Sequence, residues 1–217
     1  MASLYPAWSN TAYRLALFAL GLGAAGLVVG PMIYVRTPYN TAQFEPWDQP
    51  VEFDHRHHAR DDGIECLYCH SSAETSATAG VPTTAVCMGC HVQVWNTSPL
   101  LEPVRRSYFS GAPIRWRRVH TLPDFVYFNH AVHVRRGIDC QRCHGDVGRM
   151  ARVMQTQPLT MGWCLDCHRS PERAAGPDPA TPTPPRSAWG ATFDMFTRHS
   201  FADRSITGLI TCSACHR

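Results

Sequence analysis

Apolar residues are distributed very unevenly along the chain. From Leu15 to Val35, 21 consecutive residues carry no charge, with Arg14 and Arg36 at the ends of the run. This predicts a helix over roughly residues 12–35, long enough to cross the hydrocarbon layer of a membrane. Glycines recur at 21, 23, 26 and 30. Gly26 and Gly30 make a small-xxx-small pair that lets a second helix approach. A cleaved signal peptide would put an apolar stretch in the same place. The run is long for one, and no clear A-x-A site follows it, so a retained anchor is expected. No other stretch is membrane-like. Residues 37–50, with Pro38, Pro46 and Pro50, predict an extended surface connector. Six prolines between 171 and 186 predict an extended linker over residues 171–188.

Between connector and linker, the pattern repeats. Phe53-Asp54-His55-Arg56-His57-His58, Gly63-Ile64-Glu65 and Cys66-Leu67-Tyr68-Cys69-His70 recur 74 to 75 residues later. The later copy reads Phe128-Asn129-His130-Ala131-Val132-His133, Gly137-Ile138-Asp139 and Cys140-Gln141-Arg142-Cys143-His144. A second C-x-x-C-H follows each copy, led in by Pro82-Thr83-Thr84 and by Pro158-Leu159-Thr160-Met161-Gly162-Trp163. The chain is therefore read as an anchor (1–36), a connector (37–50), a first module with its joining segment (51–127) and a second module (128–170). The linker (171–188) and a C-terminal segment (189–217) complete it. Tandem modules of this kind point to internal duplication.

The cysteines say what the modules are for. All ten fall in C-x-x-C pairs, and a histidine directly follows each pair. The five sites are Cys66, Cys69 and His70 (site 1); Cys87, Cys90 and His91 (site 2); Cys140, Cys143 and His144 (site 3); Cys164, Cys167 and His168 (site 4); Cys212, Cys215 and His216 (site 5). C-x-x-C-H is the attachment signal for haem c: both thiols add to the vinyl groups and the histidine becomes the proximal iron ligand. Zinc ribbons also pair cysteines, but zinc chemistry does not require a histidine after every pair. Five disulfides would need no histidines. Five covalently bound haem c groups, each with its iron, are expected. They would form much of the core, leaving short helices, much irregular chain and little β structure. The 20 arginines, with no lysine, give a net charge of +3. Arginine suits pairing with haem propionates; a compositional preference for arginine explains the same count. Nothing calls for nucleic acid as a partner.

Seven histidines remain for the opposite face of the irons: His55, His57, His58, His120, His130, His133 and His199. The F-x-H-x-x-H block resembles that of the small class III cytochromes c. The resemblance implies class III-like haem packing. It also implies that the first histidine serves the next C-x-x-C-H and the second reaches a different haem. Carried over, His55 serves site 1 and His130 serves site 3, while His58 and His133 ligate other haems. His57 is expected to be a bystander. Met150, Met154 and Met161 lie between sites 3 and 4. A methionine ligand would raise one haem's potential, although core packing is the commoner use of methionine. Met150 is preferred for the fifth distal position, with His120 and His199 as rivals. Met161 is too close to Cys164 to reach over that haem.

The second module is similar to the pentahaem cytochrome subunit of alternative complex III, a quinol:electron-acceptor oxidoreductase. The matching residues are Val119-His120 and Leu122 to His130, Gly145-Asp146-Val147 with Met150 and Val153, Pro158 to Cys164, Cys167-His168-Arg169 and Cys215-His216-Arg217. The Met150 choice leans partly on it. The resemblance implies a single-pass protein of the cytoplasmic membrane with its haems on the periplasmic side. It also implies an electron wire without catalytic residues of its own. Such a wire takes electrons from an iron–sulfur subunit, beside polytopic quinol-oxidising membrane subunits. It passes them to a mono-haem cytochrome c subunit or a soluble periplasmic acceptor. The alternative is a stand-alone, membrane-anchored quinol dehydrogenase feeding a periplasmic reductase. No acidic residue lies in the apolar run to receive quinol protons. A catalytic multihaem reductase with a lysine ligand is excluded by the absence of lysine.

Overall fold

The computed structural model describes residues 5–171 and 206–216. The chain divides after Gln43 into two units. The first holds helix α1 (Ser9–Tyr34), 26 residues with mean hydropathy 2.0 and no buried side chain. At 1.5 Å per residue it is about 39 Å long, enough to cross a hydrocarbon core of about 30 Å. A helix turn α2 (Pro38–Thr41) follows. Residues 38–41 were expected to be extended. They form a turn because Pro38 sits at its first position, where proline's fixed φ suits a helix start.

The second unit is a string of short helices joined by irregular chain. They are α3 (Cys66–Cys69), α4 (Thr84–His91), α5 (Glu102–Ser110), α6 (His130–Arg135), α7 (Cys140–His144), α8 (Met161–Arg169) and α9 (Cys212–Cys215). Among the described residues the pairing of Val126 with His216 is an isolated bridge, and no sheet forms. Each C-x-x-C is one helical turn, so its two cysteines share a face. The turns start cleanly. Asp139 caps α7 by accepting from the Gln141 amide at 2.9 Å, and Thr160 caps α8 by accepting from Trp163. Gly63 and Gly137, at matching places in the two modules, both take positive φ (67° and 73°) to turn the chain into the cysteine helix.

The side-chain core is small. Val51, Met88 and Val104 are buried together, with Cys87, Leu101, Ile114 and Trp116 against them. The end of the connector packs into this region instead of running free over the surface. Val51 is buried, Gln49 exchanges two hydrogen bonds with the Arg117 backbone (3.0 and 2.9 Å), and the Arg117 guanidinium stacks 3.6 Å over the Trp47 ring. These polar contacts hold a proline-containing segment that has no helix or sheet of its own.

The modules hold each other by a crossed exchange. Helix α6 of the second packs on the 3-10 turn Ser71–Glu74 of the first. There, the amides of His130 and Ala131 donate to Ala77 and Ser76, and Arg135 donates to Glu74. Conversely, the π turn Arg56–Asp61 of the first packs on the 3-10 turn Val147–Arg149 of the second. The C-terminal helix is tied to the segment before the second module. The Tyr127 amide donates to Cys215 at 2.8 Å.

Candidate haem-binding centres

In each module the F-x-H-x-x-H block is a rigid cluster of three rings. Phe53 meets His55 edge-on at 4.7 Å and stacks on His58 at 4.4 Å. Phe128 meets His130 edge-on at 4.8 Å and stacks on His133 at 4.4 Å. The second histidine is also oriented by the carbonyl four residues back: His58 Nδ1 donates to Asp54 O (3.2 Å) and His133 Nδ1 to Asn129 O (2.8 Å). One phenylalanine therefore fixes two imidazoles, and the three-residue spacing aims them at different neighbours.

All five C-x-x-C-H histidines engage their Nδ1. His70 donates to Gly80 O (2.8 Å), His91 to Val94 O (2.9 Å), His168 to Leu209 O (2.8 Å) and His216 to Phe125 O (3.1 Å). His144 differs, because its Nδ1 meets Nε2 of His120 at 3.3 Å. With the proton held on Nδ1, Nε2 presents a lone pair, which is how metal-binding histidines are normally fixed. Burial favours the neutral form of three of the paired rings, as a metal requires. It pushes His144 down to about 3, helped by His120, His130 and His70, and lowers His133. His55 is likewise pushed down to about 4 by burial, then by His70.

The residues fit haem. An imidazole nitrogen binds a metal at about 2.0 Å and the ring centre lies about 1.2 Å beyond, so two rings on opposite sides of one iron have centres about 6.4 Å apart. His58 and His91 are 6.0 Å apart, His130 and His144 6.3 Å, His133 and His168 6.2 Å. These three pairs can each hold one iron, at sites 2, 3 and 4. His55 lies near enough to His70 for the two charges to oppose each other, and its buried Nδ1 makes no hydrogen bond. Among the described residues, no three His, Cys, Asp or Glu side chains converge on one point as zinc would need.

Ring pairs and backbone contacts set the order of the sites. His58 faces His91 of site 2 and stands three residues from His55. The turn Ser71–Glu74, directly after site 1, packs on α6, whose His130 faces His144 of site 3 and whose His133 faces His168 of site 4. His168 in turn donates to Leu209, just before site 5. The row therefore reads site 2, 1, 3, 4, 5, and passes between modules where α6 meets the turn after site 1. Chain order alone would have put site 2 between sites 1 and 3.

The other candidates fall as follows. His57 is exposed beside Asp61 (3.2 Å) and Asp54 (3.9 Å). Met150 is buried. His120 is aimed at the far edge of a proximal histidine, a role that spacing could not reveal. His199 and nearly all of the 171–188 linker lie outside the described residues.

Residues 132–217 match the family described as Cytochrome c3. Over 120 residues the chain is 35% identical to the multiheme cytochrome c subunit of menaquinone reductase from Nitratidesulfovibrio vulgaris strain Hildenborough. The alignment covers 55% of this chain and 56% of that protein, so the chain spans about half the length of the curated relative it matches. The matched part, residues 132–217, is cytochrome c3-like, and that likeness implies covalently bound haem c.

Proposed function

We propose that this chain is a pentahaem electron-transfer subunit of a membrane quinone-linked complex of the alternative complex III type. The row of five sites, linked by facing imidazoles and backbone contacts, carries this reading. Bound haem supplies one-electron redox chemistry at each site. The chain's own residues hold it by the ten cysteines and by His70, His91, His144, His168 and His216. On the opposite faces stand His55 at site 1, His58 at site 2, His130 at site 3 and His133 at site 4. Met150 is proposed for site 5, with His199 as its rival. A side chain on both faces of each haem leaves no open position for a substrate, so the role is conduction, not turnover. Helix α1 anchors the chain, with the haem unit on the periplasmic side. Its partners are an iron–sulfur subunit, polytopic quinone-reactive subunits and a mono-haem cytochrome or soluble acceptor.

The relative named as a subunit of menaquinone reductase supports a place inside a complex. It also leaves room for electrons to run towards quinone. Haem-stained native gels of gently solubilised membranes, with mass spectrometry of the stained band, test this. The expected result is a large assembly containing iron–sulfur and polytopic subunits, and a chain mass raised by five haems. Migration alone, with direct reduction by quinol, would establish instead a stand-alone quinol dehydrogenase.

A further inference from the structure

Among the five C-x-x-C-H histidines, His144 stands apart. The other four donate Nδ1–H to a backbone carbonyl, and His144 meets a side chain. The local cause lies in the loop after the cysteine helix. In the first module, His70 finds the carbonyl of Gly80, ten residues on. The corresponding loop of the second module is longer: 19 residues separate His144 from Cys164, against 16 between His70 and Cys87. Its start is also pinned differently. Gly145 takes φ 71° and ψ −172°, and Thr156 packs so closely that a Cβ on Gly145 would lie 2.7 Å from its Oγ1. His120, from the segment before the module, occupies the place a carbonyl holds elsewhere. Its ring crosses that of His144 edge-on, with centres 4.3 Å apart.

We infer that His120 is a positioning residue for site 3: its Nε2 accepts the Nδ1 proton of His144 and so sets the orientation and donor strength of that site's proximal ligand. This inference rests on the reading of His144 as an iron ligand. When His144 binds iron through Nε2, its proton must sit on Nδ1, so His120 Nε2 must accept and the His120 proton must sit on its own Nδ1. A hydrogen bond accepted from Nδ1–H makes the imidazole a stronger donor and favours the oxidised metal. A carbonyl fixed in the main chain cannot be exchanged by point mutation, whereas a side-chain acceptor can. Site 3 is thus the one of these five whose proximal acceptor is set by residue identity. It is also the site whose facing histidine, His130, donates across to Ala77 of the other module.

The experiment is a redox titration of the purified full-length holoprotein with His120→Leu and His120→Gln. Covalent haem on each cysteine peptide is counted by mass spectrometry. Leucine fills similar space without an acceptor, and glutamine restores an acceptor oxygen. In the leucine variant all haems should remain attached. One midpoint should rise by about tenfold in the reduction equilibrium, about 59 mV for one electron. The others should stay in place, and the glutamine variant should recover most of the shift. If the leucine variant loses haem during maturation, His120→Met, with only a weak sulfur acceptor, is read in its place with the same expectation. Full haem content with no midpoint moved overturns the inference, and so does a glutamine variant as shifted as leucine. A wild-type Cys140–His144 peptide without haem overturns the reading beneath it.

Discussion

The two modules share the placing of their paired histidines and differ in how the ligands are backed. Phe53 and Phe128 hold their pairs within 0.1 Å of the same ring distances. The i−4 carbonyl bond to the second histidine also recurs. The backing of the others does not. His130 Nδ1 donates to Ala77 O of the other module at 2.9 Å, while its counterpart His55 has no hydrogen bond there. His70 is backed by a carbonyl and His144 by a histidine. A six-residue block specifies its own geometry because its contacts are local. The backing groups come from loops of unequal length and have drifted apart.

Exchanging the second histidine of each block would test the shared part most severely. His58→Met should raise the midpoint of the haem at site 2, and His133→Met that at site 4. Each shift should exceed about a hundredfold in the reduction equilibrium, about 118 mV at 59 mV per tenfold. Because the ring geometry matches, the two shifts should be similar. A shift at one site alone would show that the repeated block does not play the same part twice.

A smaller contrast is expected between glycines. Gly145→Ala meets Thr156 and a backbone conformation nearly confined to glycine, and should cost about 3 kcal/mol. Gly63→Ala, with open space around its Cβ, should cost about 1–2 kcal/mol from its positive φ. Denaturant midpoints of the holoprotein measure both, and equal losses would remove the crowding argument. Smallest are Phe53→Leu and Phe128→Leu, at about 1 kcal/mol each. Phe128 is 36% exposed, so its loss should be the lesser, read from the same denaturation curves.

Much of the site was legible because haem c is attached by a covalent signal five residues long. The sequence also exposed the duplicated F-x-H-x-x-H block, whose spacing sends two imidazoles to different neighbours. Other features depend on which loops meet. That His58 faces His91, 33 residues on, depends on how the first module folds back, and that site 1 rather than site 2 lies against the second module is a product of the crossed packing. His120 read as a candidate distal ligand because histidine near haem usually is one. Its position behind His144 depends on how the segment before the second module folds back. The connector misled for a physical reason too: Pro38 starts a helical turn as readily as it extends a chain, and Gln49 finds a backbone partner 68 residues away.

The crossed packing bears on how the protein is made. The carbonyls of Glu74, Ser76 and Ala77 receive their donors from residues 130 to 135, and the turn at 56–61 packs on residues 147–149. A chain emerging from its N-terminus exposes two complete haem signals long before the helix that packs on the turn between them exists. A fragment stopped at residue 127 would carry ten residues of haem signal and lack both surfaces on which its histidine block and its loop come to rest. The first half therefore gains its full set of backbone partners only when the second half arrives.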